Sequence, residues 1–333
     1  MNIKNIKTTE YSIDLKNKYF NDIIKKNNLT LPNLNKESIE FELLNSNEAF
    51  ANAIRRVYND ELLIKLLDVN IYDLKTDDKY ILPDNIIERL NLIPIKQDIN
   101  KDVIFQINIV NNTNDIIKIY SKDIINKNKQ DKNVYFNNNI LICTLKPNHY
   151  LYINNIKINS NYGYIDNKYS LGSYNYEIIN TDFNIHSLNN NIKDFRIELI
   201  TNGNIHIKSL INLIYDTLYV RLKYIQESIN NYNINLNSTD INKLINDIFI
   251  IENNDIYEIH INNEYHTIGN LITKYVYNLD SNIELINYKL EHPLRHKIII
   301  NIKHNEYKKI LNDAINKIIE DLILFKNLLT KPL

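Results

Sequence analysis

The fold is decided by residues 41–59, FELLNSNEAFANAIRRVYN, because a second stretch, residues 259–277, IHINNEYHTIGNLITKYVY, resembles them when the two are aligned end to end. The two stretches lie 218 positions apart, so that Asn52 aligns with Asn270. Each stretch opens with strand-forming residues and then changes to the apolar spacing of a helix. The sequence therefore predicts a repeated unit in which a strand leads into an amphipathic helix.

The apolar residues of both predicted helices recur at the spacing i, i+3, i+4 and i+7, which places them on one helix face. Each helix therefore has one apolar face that must pack against another part of the protein, and we predict that the two faces pair with each other. The apolar residues of these faces are Phe50, Ala53, Ile54 and Val57 in the first unit, and Ile268, Leu271, Ile272 and Tyr275 in the second.

Polar residues near the start of each predicted helix are candidate caps. Asn45 and Glu48, which lie three residues apart, are predicted to cap the first helix as a pair. At the second helix, Thr267 is the candidate cap, and Gly269 is expected to permit close packing.

Each unit is predicted to close with a strand and a longer helix. FRIELI precedes a helix over about 207–229, and KIIINIK precedes one over about 306–328. Apolar residues recur about every 3.5 residues in both helices, and in the second they include Ile318, Leu322 and Phe325. Such stripes usually pack on a sheet or helix within one domain. Pairing of the two units is the more specific hypothesis.

The two units differ in what lies inside them. A long segment with several strand-like runs separates the first helix from its closing strand and has no counterpart in the second unit. The predicted class is α+β, with two sheet-and-helix lobes and a mostly β subdomain inserted in the first. The predicted boundaries are an N-terminal extension at 1–35, a first lobe at 36–61 and 169–230, the inserted subdomain at 62–168, a connector at 231–255 with a short helix near 240–249, and a second, small lobe at 256–333.

The composition is that of a globular chain with a packed core: of 333 residues, 44% are hydrophobic and 24% charged. The net charge of −1 gives no electrostatic footprint for a nucleic-acid backbone, so we expect little or no direct nucleic-acid contact. Apolar runs are far shorter than the ~20 residues that cross a bilayer, and the first residues lack the apolar core of a signal peptide. No membrane association is expected.

Residues that would carry chemistry are missing from the sequence. The single cysteine, Cys143, excludes an intramolecular disulfide and a cysteine-based metal site, and it is expected as a buried strand residue. The four glycines are too scattered for a phosphate-binding loop. His292 and His296 would suit a metal only on a helix, which Pro293 interrupts. The sequence predicts no catalytic residues, no cofactor and no metal.

Several blocks resemble the alpha-like family of RNA polymerase subunits. ANAIRRVYNDEL, LPDNIIERLNLIPI, LICTLKPNHYLYI and FRIELITNGNI are similar, in order, to the larger member of its subunit pairs. EYHTIGNLITKYV, a tyrosine at Tyr288, and EHPLRHKIIINI are similar to the smaller member. The resemblance covers about 36–328. It implies a fusion of the two subunits into an intrachain heterodimer that pairs through its helices, is not catalytic itself, and docks the two largest polymerase subunits as well as small ones.

The resemblance also implies contacts with other polymerase subunits. Arginine suits such an interface because its planar guanidinium makes paired hydrogen bonds to carboxylates, although a solvated helix face is the alternative for Arg55 and Arg56. Asn52 and Asn270 could pin a backbone across the pair or make local hydrogen bonds. The predicted subunit-interface residues are Asn52, Arg55, Arg56, Arg89, Asn270 and His292.

A fusion of this kind is similar to what large cytoplasmic DNA viruses carry, and the heavy use of Ile, Asn, Lys and Tyr fits an AT-rich coding sequence. The resemblance therefore implies viral transcription, in the cytoplasm of the host (the viral factory) or in the virion. The competing hypothesis is a viral structural or scaffold protein that uses the same fold outside a polymerase. A free-standing enzyme ranks third, because the sequence displays no convergent set of polar residues.

Overall fold

The structure is a computed structural model that describes residues 1–11, 26, 36–127, 135–136, 139–162, 172–180, 193–201, 203–231, 248–253, 255–280, 283–292 and 295–331. The α-helices in these ranges are α1 (Glu48–Arg56), α2 (Pro83–Asn91), α3 (Ile207–Asn231), α4 (His266–Leu279) and α5 (Tyr307–Thr330), and a π-helical turn, Val57–Glu61, continues α1. The strands are β1 (Asn2–Tyr11), β2 (Lys36–Ser46), β3 (Leu63–Asp68), β4 (Leu74–Thr76), β5 (Phe105–Val110), β6 (Ile117–Tyr120), β7 (Ile125–Asn126), β8 (Leu141–Leu145), β9 (Tyr150–Tyr162), β10 (Gly172–Asn180), β11 (Lys193–Thr201), β12 (Ile248–Asn253), β13 (Ile256–Asn262), β14 (Leu285–His292) and β15 (Arg295–Lys303). These elements form a mixed α+β fold.

Two four-stranded sheets have the same arrangement. The first sheet has the order β1-β2-β11-β10, the second has the order β12-β13-β15-β14, and all neighbours are antiparallel. In each, a helix follows the second strand of the four in chain order, α1 after β2 and α4 after β13, and a long helix follows the last. The predicted strand-to-helix unit is therefore present twice.

The backbone repeats this correspondence just before the two short helices. Asn45 has a φ of 51° and Asn263 a φ of 59°, and these two residues are separated by the same 218 positions as the aligned sequences. Asparagine tolerates this left-handed conformation better than most residues with a side chain. A matched left-handed turn between strand and helix is therefore part of the repeat.

Two predicted boundaries are wrong at the edges of these sheets. Asn2–Tyr11 forms β1 of the first sheet, although the sequence predicted an N-terminal extension there. Ile248–Asn253 forms β12 of the second sheet, although a connector with a short helix was predicted. An edge strand has only one neighbour and its pattern is therefore weak, as in β1, where Ile3 is the buried apolar residue. Of the predicted helix near 240–249, residues 240–247 lie outside the described residues.

The inserted segment has a sheet and a core of its own. β9 pairs with β3, β4 and β5, β5 pairs with β7, and β6 pairs with β8 in a separate two-stranded sheet. α2 contributes Ile86 and Leu90 to a buried cluster that also contains Phe105 and Ile153. At the beginning of the segment, Ile64 belongs to a different and larger cluster.

The larger buried cluster draws on both four-stranded sheets and on α1, α3, α4 and α5. α1 packs against α4, α3 packs against α5, and α5 also packs against α4. The predicted pairing residues all lie buried in this cluster: Phe50, Ala53, Ile54, Val57, Ile268, Leu271, Ile272, Tyr275, Ile318, Leu322 and Phe325. One continuous core therefore joins the two repeated units.

Candidate subunit interface

The long helices α3 and α5 cross in opposite directions. Gln226 donates from Nε2 to Asn316 Oδ1 at 2.9 Å, and Lys326 Nζ lies 3.9 Å from Asp216 Oδ1. A residue late in α3 thus faces one early in α5, and the reverse holds for the second contact. The two helices are therefore antiparallel.

Their buried positions also repeat. Position 307 lies 100 residues after position 207, and the buried apolar stripe of α3 recurs in α5 at this spacing. At this spacing Gln226 corresponds to Lys326 and Asn316 corresponds to Asp216, so the two contacts are equivalent. An approximate two-fold axis therefore relates the helices. The matched buried residues are Ile207, Leu210, Ile211, Ile214, Leu218, Leu222, Ile225 and Ile229 of α3, with Tyr307, Ile310, Leu311, Ala314, Ile318, Leu322, Phe325 and Leu329 of α5.

A cluster of charged residues joins the two units beside these helices. Arg221 of α3 binds Glu61 through Nη1 at 2.5 Å and binds Glu264 through Nε at 2.9 Å. Arg56 donates from Nε to Thr267 Oγ1 at 2.8 Å, and the hydroxyl of Thr267 donates to Glu61. We call these five residues the junction cluster. Two arginines balance two glutamates, so the cluster is neutral.

The junction cluster is largely removed from water. The side chains of Arg221, Glu61 and Glu264 are 20%, 16% and 8% exposed. Burial alone would lower the pKa of Arg221, but hydrogen bonds and charges from both glutamates outweigh it and raise that pKa above its ordinary value. Buried charges are tolerated only when they are paired, so each member depends on the others.

A second polar contact links the short helix α4 to the long helix α5. Tyr275 of α4 donates its hydroxyl to Asp321 Oδ2 of α5 at 2.8 Å. The side chain of Asn47 also bonds to Tyr275, and its Oδ1 accepts from the Phe50 N–H at 2.8 Å. Burial and then the charge of Asp321 raise the pKa of Tyr275, which keeps the phenol neutral. The start of α1 is thus linked to α4 and α5.

The two predicted helix caps are wrong. Asn47, and not the pair Asn45 and Glu48, caps α1, because Asn45 lies in the left-handed turn two residues earlier. α4 begins at His266 without a side-chain cap, and the hydroxyl of Thr267 instead takes part in the junction cluster. The polar residues near both helices contact distant parts of the chain, which the local pattern did not indicate.

The predicted close packing at Gly269 is confirmed. A Cβ added to Gly269 would lie 2.5 Å from Cδ2 of Tyr288, a residue of β14. The Tyr288 hydroxyl meets His266 Nδ1 at 3.2 Å, at the beginning of the same helix. The missing side chain therefore lets α4 rest directly on the tyrosine ring.

Replacing Gly269 with alanine is expected to lower the free energy of unfolding by about 1–3 kcal/mol, because the new methyl group overlaps the Tyr288 ring. Urea unfolding followed by circular dichroism measures the loss. Combining Gly269→Ala with Tyr288→Leu should cost less than the sum of the two single changes. The exposed Ser209→Ala in α3 is the control. Additive losses would contradict the proposed overlap.

Of the predicted interface residues, Arg56 is the one found in the junction cluster. Arg55, on the same helix, is half-buried and its Nε donates to Asn52 Oδ1 at 2.9 Å. Asn52 therefore makes a local hydrogen bond, which was the alternative to pinning a backbone across the pair. Asn270 is half-buried on α4, where its backbone carbonyl accepts from Thr273.

The other two lie elsewhere. Arg89 is exposed on α2 of the inserted segment and donates to the carbonyl of Ile142 at 3.2 Å. His292 is exposed at the end of β14. Pro293, which follows it, lies outside the described residues. The structure therefore distributes the predicted interface residues over several surfaces.

The sequence reasoning did not find Arg221, Glu61, Glu264 and Asp321. A signal was present for two of them, since Arg221 lies three residues after Leu218 and Asp321 three after Ile318. A charged residue at that spacing falls on the apolar face of its helix, and a buried charge requires a partner.

A buried histidine makes stability depend on pH. His260 of β13 stacks on Phe249 with ring centroids 4.4 Å apart. Burial, and then the charge of Lys297, lowers the pKa of His260 from 6.5, against the opposing effect of Glu258. The unfolded chain therefore takes up this proton at a higher pH than the folded chain does. The contribution of His260 to stability falls as pH drops through about 6.5.

Replacing His260 with phenylalanine keeps the ring stack and removes this titration. We expect the variant to lose less stability than the wild type between pH ~7.5 and ~5.5, because it has no imidazole to take up a proton on unfolding. Urea unfolding at both pH values measures it. His296→Phe, at an exposed position, is the control. An unchanged pH dependence in the His260 variant would contradict the assignment.

The described residues contain neither a metal-binding cluster nor a membrane-spanning helix. Within the ranges given above, no group of three or more His, Cys, Asp or Glu side chains is placed to hold a metal ion. Among the helices of the described chain, none has the length and apolar character needed to cross a bilayer. Cys143 lies half-buried on β8, where burial raises the pKa of its thiol to about 11.

Residues 257–327 match the family model of the RNA polymerase Rpb3/Rpb11 dimerisation domain. The match runs from β13 through α4, β14 and β15 into α5, and so contains one complete strand-to-helix unit. This part of the chain is therefore similar to the dimerisation domain of RNA polymerase subunits. No curated protein matches the chain.

Proposed function

We propose that the chain is a non-catalytic assembly subunit of a multisubunit DNA-directed RNA polymerase, in which two alpha-like lobes pair within one polypeptide. One observation carries the proposal. Strands β13, β14 and β15 of the second sheet, with helices α4 and α5, match the Rpb3/Rpb11 dimerisation domain, and the first sheet has the same strand order and helix placement as the second. A dimerisation domain packed through a continuous core against a copy of its own topology is what an internal dimer would look like.

The proposed lobes follow the boundaries predicted from the sequence. The first lobe comprises 36–61 and 169–230, extended by β1, and the second comprises 256–333, extended by β12. Residues 62–168 form the inserted subdomain. Joining the lobes in one chain makes their pairing intramolecular, at an effective concentration of roughly millimolar. The proposed heterodimer would therefore stay paired on dilution.

In this proposal the paired lobes dock the two largest polymerase subunits together with small ones. Arg89 and His292 are exposed, which suits contact with other subunits. Arg55 is half-buried and keeps part of its surface available. The fused chain would belong to a large cytoplasmic DNA virus and act in the cytoplasm of its host or in the virion.

The test is affinity purification of the tagged chain from its native source, with mass spectrometry and a promoter-independent transcription assay. We expect two subunits above roughly a hundred kilodaltons and RNA synthesis. The double variant Arg89→Ala, His292→Ala should recover less of those subunits while remaining folded, and Lys208→Ala, also exposed, is the matched control. A lone monomer or homodimer would sink the polymerase role and favour the scaffold hypothesis.

A further inference from the structure

We infer that Arg221 and Asp321 are specificity residues that make each lobe pair with the other lobe of its chain and not with the same lobe of a second chain. The inference rests on the proposed pairing of the lobes. It concerns how two units of equal topology avoid the wrong partner. A repeated fold makes this problem unavoidable, because each unit presents a similar apolar face.

Arg221 and Asp321 occupy equivalent positions. They are separated by the same 100 positions that relate the buried stripes of α3 and α5. Because the helices are antiparallel and related by an approximate two-fold axis, the two residues lie at the same level of the helix pair. Both are largely buried, and they carry opposite charges.

Pairing of two first lobes would place one Arg221 at the level of another. The first lobe has Ser46 at the position that corresponds to Glu264, 218 residues earlier in the chain. In a pair of first lobes each Arg221 would therefore lose this carboxylate. Glu61 would remain as its carboxylate partner from the junction cluster. Two arginines would be buried near the two-fold axis, each with one carboxylate partner in place of two. Such incompletely paired charges are unfavourable in a poorly solvated site.

Pairing of two second lobes would be unfavourable for the opposite reason. One Asp321, which is 5% exposed, would lie at the level of another. Asn47, which now bonds to Tyr275, would be replaced by its counterpart Tyr265, with Glu264 beside it. Several carboxylates would then be buried without the arginine that Glu264 now binds.

Pairing of the first lobe with the second lobe is therefore the arrangement that gives both Arg221 and Asp321 a partner. Arg221 meets the carboxylates of Glu61 and Glu264, and Asp321 accepts from the hydroxyl of Tyr275. Selection then comes as much from the cost of the wrong pairs as from the contacts of the right one.

The test uses two full-length chains with different affinity tags, one carrying Arg221→Asp and the other Asp321→Arg. Within either chain, like charges now lie at the same level of the helix pair. Pairing between the two chains, of like or of unlike lobes, brings opposite charges to this level again. After unfolding and refolding as a mixture, we expect capture of one chain by the tag of the other at about ten times the level of a wild-type mixture, equivalent to about 1.4 kcal/mol.

Circular dichroism of each variant alone and of the mixture accompanies the capture. If a single variant does not fold, recovery of native ellipticity in the mixture together with mutual capture still supports the inference. Capture at the wild-type level overturns it, whether the variants fold separately or stay unfolded together. The readout needs no polymerase. Failure to co-purify the large subunits would thus sink the proposed function and leave this result independent.

Discussion

Replacing Phe325 with alanine is expected to lower the free energy of unfolding by about 3–5 kcal/mol. Phe325 of α5 is 0% exposed and meets Phe41 of the first sheet edge to face, with ring centroids 5.9 Å apart. Its removal would leave a cavity in the core that joins the two units. The loss should therefore destabilise both sheets together.

Urea unfolding followed by tyrosine fluorescence and circular dichroism measures this effect. Leu324, the preceding residue of α5, is 43% exposed, so Leu324→Ala is a matched control expected to change stability by about 0.5 kcal/mol or less. Similar losses for both variants, or unfolding of one sheet without the other, would contradict a shared core.

Replacing Arg221 with methionine is expected to cost about 3–5 kcal/mol, because it leaves the buried carboxylates of Glu61 and Glu264 without their shared cation. Methionine keeps much of the volume of the side chain, so the loss reports on charge more than on packing. Thermal or urea unfolding near neutral pH measures it.

Two further variants separate this explanation from a general intolerance of α3. Lys208→Met removes a positive charge from an exposed position of the same helix and should be nearly neutral. Adding Glu61→Gln and Glu264→Gln to Arg221→Met should recover part of the stability, since no unpaired charge remains buried. A triple variant less stable than Arg221→Met would show that the carboxylates do not depend on the arginine.

The sequence predicted those parts of the fold that leave a local or repeated pattern. The long helices, predicted at about 207–229 and 306–328, are observed at Ile207–Asn231 and Tyr307–Thr330. Their apolar period is visible within a few turns of helix. The repeat separated by 218 positions likewise identified two strand-to-helix units. The left-handed residues Asn45 and Asn263 lie at the same spacing, although the sequence did not predict their conformation.

The polar part of the candidate site could not be predicted in the same way. Arg221 binds Glu61 from 160 residues away and Glu264 from 43 residues away, so no local spacing relates them. β1 was missed because an edge strand needs less apolar sequence than a central one. The apolar run IFII of β12 was missed because its first residues were assigned to the predicted helix near 240–249. Asn47 was missed as a cap because Asn45 also fits the sequence rule. The left-handed backbone at Asn45, which delays the start of the helix, is visible only in the structure.

The unequal spacing of the two sheets along the chain has a kinetic consequence. In the second sheet, β13 pairs with β15 between residues such as Ile259 and Ile300, whereas in the first, β2 must find β11 beyond the entire inserted segment. Closing the longer loop costs more entropy and slows folding. We therefore expect the second sheet to form first and to serve as a template on which the first one completes its folding.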